Sequence, residues 1–95
     1  MRRGITYAVP HTVSITDRSA ADAELDQVVA QTSGLPGFVA GYWVTRSADQ
    51  GLALIVFDSE EAAQGFADFL RTVPDSPGVT LDRESIGVCE VLAHA

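Results

Sequence analysis

The sequence predicts an α+β domain of ferredoxin-like order, β-α-β-β-α-β, in which an antiparallel sheet carries two helices on one face. Three observations lead there. Apolar residues recur at every second position over residues 5–15, the period of a half-buried strand. Two later segments repeat apolar residues at helical spacing, each preceded by residues that start helices. Between those segments lie two runs rich in β-branched and aromatic residues, 38–46 and 51–57, joined by the polar stretch 47–50 as in a hairpin.

In the first strand Ile5, Tyr7, Val9, Val13 and Ile15 alternate with Thr6, Ala8, Thr12 and Ser14, and Pro10 points to an edge position or a bulge. Arg2 and Arg3 ahead of apolar residues resemble the opening of a signal peptide. However, Pro10 and His11 interrupt the run and no small-residue cleavage site follows, so the start of the chain reads as strand. Residues 17–19 then start a helix, and Ala21, Leu25, Val28, Val29 and Thr32 share one of its faces. Gly34 is expected as a left-handed residue just past its end. Pro36 and Gly37 suit the centre of a type II turn. Gly34 thus ends a helix, Gly37 completes a turn and Gly41 lies inside the following strand; helix then strand is the reverse of the order that builds a phosphate-binding loop.

Asp58, Ser59, Glu60 and Glu61 read as a capping box, with Asp58 accepting from an amide of the first turn and Glu61 reaching back. Ala62, Ala63, Phe66, Phe69, Leu70 and Val73 continue it as an amphipathic helix that ends at 74–78. Residues 79–81 and 86–93 are extended, as one bent strand or two short ones.

Ninety-five residues, 46% of them hydrophobic, make one domain over 1–95. The longest strongly apolar run, 52–57, is far short of the roughly 20 residues that cross a bilayer as a helix, so no membrane partner is expected. The net charge is −7 and every basic residue is arginine, a balance that repels nucleic acid and anionic lipid. An RNA-recognition domain shares the element order, but Leu52 and Leu54 stand where its stacking aromatics would be needed. Arginine without lysine, with abundant alanine and valine, points to a GC-rich bacterial genome. The single cysteine, Cys89, cannot close an internal disulfide and fits a reducing cytoplasm. It lies beside Val88 and Glu90 with no neighbouring cation, and is expected to be buried and inert. His11, Cys89 and His94 lack the spacing of a metal site, so no metal is expected.

Both faces of the two middle runs are apolar. Phe38, Tyr42 and Val44 alternate with Val39 and Trp43, and Leu52, Leu54 and Val56 with Ala53, Ile55 and Phe57. Two helices cover one face of a sheet. An uncovered apolar face forgoes several kcal/mol at about 25 cal/mol per Å², so a second copy packed sheet to sheet is expected.

The stretches "LPGFVAGYWV" (35–44), "GLALIVFDSEEAAQGF" (51–66) and "VCEVLA" (88–93) resemble the dimeric α/β-barrel superfamily, and within it the small antibiotic-biosynthesis-monooxygenase-like domains. The resemblance implies a homodimer with sheets back to back and a small cavity between each sheet and its helices. Some members are cofactor-free oxygenases of polycyclic aromatics and some degrade haem. The oxygenases use an asparagine with a tryptophan and a histidine or arginine; this sequence has no asparagine, while Trp43, His11 and Arg46 supply the other types. Two functions follow as expectations: a cofactor-independent, monooxygenase-like protein acting on a small aromatic molecule, or a non-enzymatic ligand-binding or assembly module. No cofactor is required, and haem is permitted, with His11 as candidate axial ligand.

The expected pocket lies between sheet and helices, lined by His11, by one of Tyr42 or Trp43, and by Phe66 or Phe69. Adjacent strand residues face opposite ways, so only one of the aromatic pair can line it unless a bulge at Gly41 resets the alternation; the resemblance favours Trp43. The competing readings are a hydrogen-bonded His11 at a sheet edge, a Trp43 spent on core or interface, and a solvated Arg46.

Overall fold

In the computed structural model, which describes residues 5–94, strand β1 (Tyr7–Ile15) runs down the middle of an antiparallel sheet. Arg2 and Arg3, read above as the approach to this strand, lie outside the described residues. Helix α1 (Arg18–Ser33) follows, then the hairpin of β2 (Phe38–Ser47) and β3 (Gln50–Phe57), helix α2 (Glu60–Thr72), and the short strands β4 (Val79–Asp82) and β5 (Cys89–Glu90). The strand order is β2-β3-β1-β4, and β5 pairs with β1 beyond β4, so the ferredoxin-like arrangement is present with its last strand in two pieces.

The break in that strand explains Pro10. The proline lies in a central strand, not at an edge. However, β4 pairs with Thr12 to Ile15 and β5 with Tyr7 and Ala8, which leaves the stretch around Pro10 without a ladder partner on that side. A missing N–H costs little where no acceptor strand runs. The 3₁₀ turn Arg83–Ser85 fills the space, and Ser85 Oγ accepts from the Thr12 amide at 2.9 Å. Continuing the register of β4 would set Gly87 opposite Tyr7; Glu90 stands there instead, three residues on. An odd shift exchanges the two faces. Val79 and Leu81 therefore pair with Ile15 and Val13 on the helix side, while Cys89 pairs with Ala8 on the other and is exposed, contrary to the buried thiol expected.

The core forms where the odd positions of β1 and β3 meet α2: Val9, Ile55 and Phe57 are fully buried against Ala63, Phe66, Ala67 and Leu70. Helix α2 is built for this contact. Ser59 is its N-cap, its Oγ accepting from the Ala62 amide at 3.1 Å, with Glu60 and Glu61 in the first turn and Arg71 in the last. The cap is one residue later than the expected Asp58. The Asp58 amide is instead engaged by the Gly37 carbonyl at 2.8 Å, which ties the entry of β2 to the end of β3.

Gly37 has φ +81°, as its place in the turn demands, whereas Gly34 has φ −86° and closes α1 in the right-handed region, not the left-handed one. A bulge at Val39 corrects the expected parity of β2. Phe38 pairs with Phe57 on the helix side, whereas Ala40, Tyr42 and Val44 pair with Val56, Leu54 and Leu52 on the opposite face.

Candidate functional site

Helix α1 packs chiefly on β2, and of its sixteen residues only Thr32 is buried. Its start is tied to the far end of the sheet: Thr16 and Asp17 amides donate to the Gly78 carbonyl at 2.9 and 3.3 Å, and the Gly78 amide donates to Glu24 Oε1 at 3.2 Å. Held there, α1 stands off the sheet and off α2 with Leu25, Val28 and Val29 only partly covered. The consequence is a cleft of two adjoining cavities, each of about 680 Å³, which share Val28, Gln31 and Phe69 in their walls.

One cavity lies over the sheet, with His11 of β1, Trp43 of β2, Leu25 and Val28 of α1, and Phe69 and Leu70 of α2 among its walls. The other lies between the end of α1 and the start of α2, where Phe66 and Phe69 face it beside Gly65. Four of the five residues named from the sequence thus border one cleft. The register explains which: Trp43 pairs with Ala53 and His11 with Ala53 from the other side, so all three point toward the helices. Tyr42 is excluded. It pairs with Leu54, lies on the opposite face of the sheet and is 59% exposed.

His11 is 7% exposed. Its Nδ1 lies 3.3 Å from the Val9 carbonyl, which can only accept, so Nδ1 carries the hydrogen and Nε2 keeps its lone pair. Burial pushes the pKa below the ordinary 6.5, and the carbonyl contact opposes this more weakly. The imidazole is therefore a neutral acceptor at physiological pH. Its ring meets Phe66 edge-on at 6.3 Å, and Phe66 stacks on Phe69 at 6.4 Å, so an aromatic wall runs from the imidazole to the rim. Asp22, Glu24 and Asp75 border the cavity over the sheet, and Asp22 is paired with Arg18 at 2.9 Å. Arg46, next to last in β2, is exposed and takes no part in the walls of either cavity.

Among the described residues no group of three or more histidine, cysteine or acidic side chains is placed to hold a metal ion, and no helix is long and apolar enough to cross a membrane. The sequence marks Gly41 as a strand residue or bulge; the bulge falls at Val39 instead, and Gly41 lies beneath the Trp43 ring, a role its type alone does not reveal. Its signal was the spacing: glycine two positions before a tryptophan on the same strand face.

No family model matches the sequence, and no curated protein matches it. Solved structures do. The haem-degrader MhuD from Mycobacterium tuberculosis, with two haems bound in its active site, aligns at a TM-score of 0.51 and 13% identity over 95% of this chain and 98% of that one. The haem-free, cleaved form of the haem-degrading protein from the same organism gives a TM-score of 0.47 and 20% identity, covering 94% and 96%. A proposed antibiotic biosynthesis monooxygenase from Bacillus cereus gives 0.44 and 15%, covering 96% and 94%. What the chain shares with the haem-degrader is the fold: a ferredoxin-like antiparallel sheet bearing two helices on one face.

Proposed function

We propose that this protein binds a small, flat, mainly apolar aromatic molecule in the cavity between α1 and the sheet, and that it does so as a homodimer closed through the opposite sheet face. The observation that carries the first part is the cavity itself: about 680 Å³, within the usual range for ligand sites of roughly 300–1,000 Å³, apolar in most of its wall, with one neutral imidazole acceptor. A phenolic hydroxyl donating to His11 Nε2 while its ring lies against Trp43 and Phe69 suits the imidazole acceptor and the aromatic wall together. Acidic residues at the border disfavour a polyanionic ligand. The second part is supported by the apolar face of Tyr42, Val44 and Leu54, all exposed, with Leu52 and Val56 half-buried beside them.

The state of His11 also favours a second reading, oxygen-dependent turnover of the bound molecule. A buried neutral imidazole can take a phenolic proton, and the electron-rich ring itself can reduce O₂. One oxygen atom goes to a ring carbon, which loses its one hydrogen while the phenolic hydroxyl loses the second, giving a quinone, and the other oxygen atom leaves as water. This reading borrows from the resemblance, whose asparagine is absent here. Haem is a further occupant to test. The haem-degrader of the same fold binds it, and His11 offers one free ring nitrogen in a cavity of adequate size.

Trp43 is the only tryptophan of the chain, so its emission reports on the cavity directly. Naphthol, hydroxypyrene and haem are titrated against the protein while Trp43 emission and the melting temperature are followed. Binding quenches the emission and raises the melting temperature by roughly 10 °C at a hundredfold excess over Kd. Oxygen uptake with each phenol separates turnover from binding. If none of the three probes moves either signal, the cavity is not a ligand site.

A further inference from the structure

Trp43 reaches the cavity from β2 two residues after Gly41, on the same, helix-facing side of the strand. The indole does not stand straight up from the sheet. It folds back along its own strand, so that a Cβ on Gly41 would lie 2.7 Å from Cη2 and 2.9 Å from Cζ3 of the ring. The same atom would lie 3.3 Å from Cδ1 of Ile55. Carbon atoms rest at about 3.5–4.0 Å, so only glycine leaves room for the six-membered ring at this place. A glycine inside a strand weakens it, and is kept where something approaches the backbone closely. Here that something is Trp43.

We infer that Gly41 sets the size of ligand the cavity accepts: by letting the indole lie back on β2, it preserves the depth that flat molecules of several fused rings require. The inference rests on the ligand-binding reading above. Any side chain at position 41 has to lift the far edge of the indole. Ile55 is fully buried and blocks one flank, and the strand backbone lies beneath, so the ring moves toward α1 and into the cavity. A two-ring ligand still fits under the displaced ring. A four-ring ligand meets it.

The test measures binding of naphthol and of hydroxypyrene, by the fluorescence anisotropy of each probe, to four proteins: wild type, Gly41→Ala, Trp43→Phe and the double variant. Wild type binds both. Gly41→Ala loses about tenfold for hydroxypyrene, the size of effect that overpacking a well-fitted site produces, and keeps naphthol within about twofold. Trp43→Phe, whose shorter ring leaves the bed over Gly41 empty, weakens both probes alike through the aromatic contact it loses and keeps their ratio. The double variant regains hydroxypyrene relative to naphthol, to the ratio of Trp43→Phe, a rescue that mere damage to the strand would not give. A folded Gly41→Ala protein with the wild-type preference overturns the inference, as does a double variant no better than Gly41→Ala. Should Gly41→Ala fail to fold, the double variant decides: it folds and binds hydroxypyrene, or the inference falls. A wild-type protein that binds neither probe overturns the ligand-binding reading itself, and the size determinant with it.

Discussion

At His11 a single buried ring links the cavity to stability. The folded protein holds the imidazole below its ordinary 6.5 because burial disfavours the charged form. Below that value the unfolded chain takes up a proton that the folded chain resists, so the unfolded state binds more protons and stability rises with pH across the window. The contribution is complete above the unfolded value and is lost as the pH falls through 6.5 toward the lowered folded value. Replacing His11 by phenylalanine removes it: melting temperatures of the two proteins, compared from about pH 7 to about pH 5, converge on acidification or favour the variant. A wild-type protein that loses no more than the variant would contradict this. At the same scale the sequence showed which residue types carry chemistry but not how they share a face. Tyr42 and Trp43 are adjacent, and only pairing with Leu54 and Ala53, after a bulge at Val39, decides which one meets His11. Neither the bulge nor the register is written in local spacing.

The two helices are unequal elements. α2 has its cap, acidic first turn and basic last turn aligned with the helix dipole, and it buries Ala63, Phe66, Ala67 and Leu70. Both its start and its apolar face were legible in the sequence, to within the one residue separating Asp58 from Ser59. Ser59→Ala should cost about 1 kcal/mol, and Asp58→Ala clearly less; equal losses in thermal unfolding would return the cap to Asp58. Arg83 closes the other end, donating to the carbonyls of Leu70 and Val73 at 2.6 Å each and to Asp75 at 3.2 Å. α1 shows the opposite character. Of the residues the spacing put on one face, Ala21, Leu25, Val28 and Thr32 border the cleft and Val29 does not, so that face looks into a cleft and not onto a core. Spacing reports which side of a helix is apolar, but not what lies across from it. Amides of α1 should therefore exchange with solvent deuterium well ahead of those of α2. Equal protection of the two helices would mean that α1 closes on the sheet.

For the whole molecule, the order of elements and the two-sided apolarity of β2 and β3 were both readable from the sequence, because strand alternation survives without knowledge of partners. A monomer of 10.1 kDa exposes about 5,300 Å² on the general scaling with mass. This chain exposes 6294 Å², an excess to which the sheet face of Tyr42, Val44 and Leu54 contributes along with the open cleft beneath α1. Tyr42, at 59%, and Val44, at 50%, are the most exposed of the apolar face. Sedimentation equilibrium at micromolar concentration should give twice the chain mass, and Val44→Asp should shift it to a monomer, because a carboxylate buried without a partner costs several kcal/mol. A wild-type monomer would leave the homodimer without support.

The interrupted fourth strand has a consequence for how the molecule tolerates change. β4 and β5 take their positions on β1 independently, three residues out of step, and the link between them holds Gly87, around which there is open space. The link behaves as an expansion joint. Residues gained or lost at Gly87 would alter the length of the joint while the two flanking registers, the buried Ile86 and the part of the cleft wall that β4 supplies through Val79 and Leu81 stay as they are. Length variation that would slide a continuous strand, and turn its side chains to the wrong face, is absorbed there without reaching the rest of the fold.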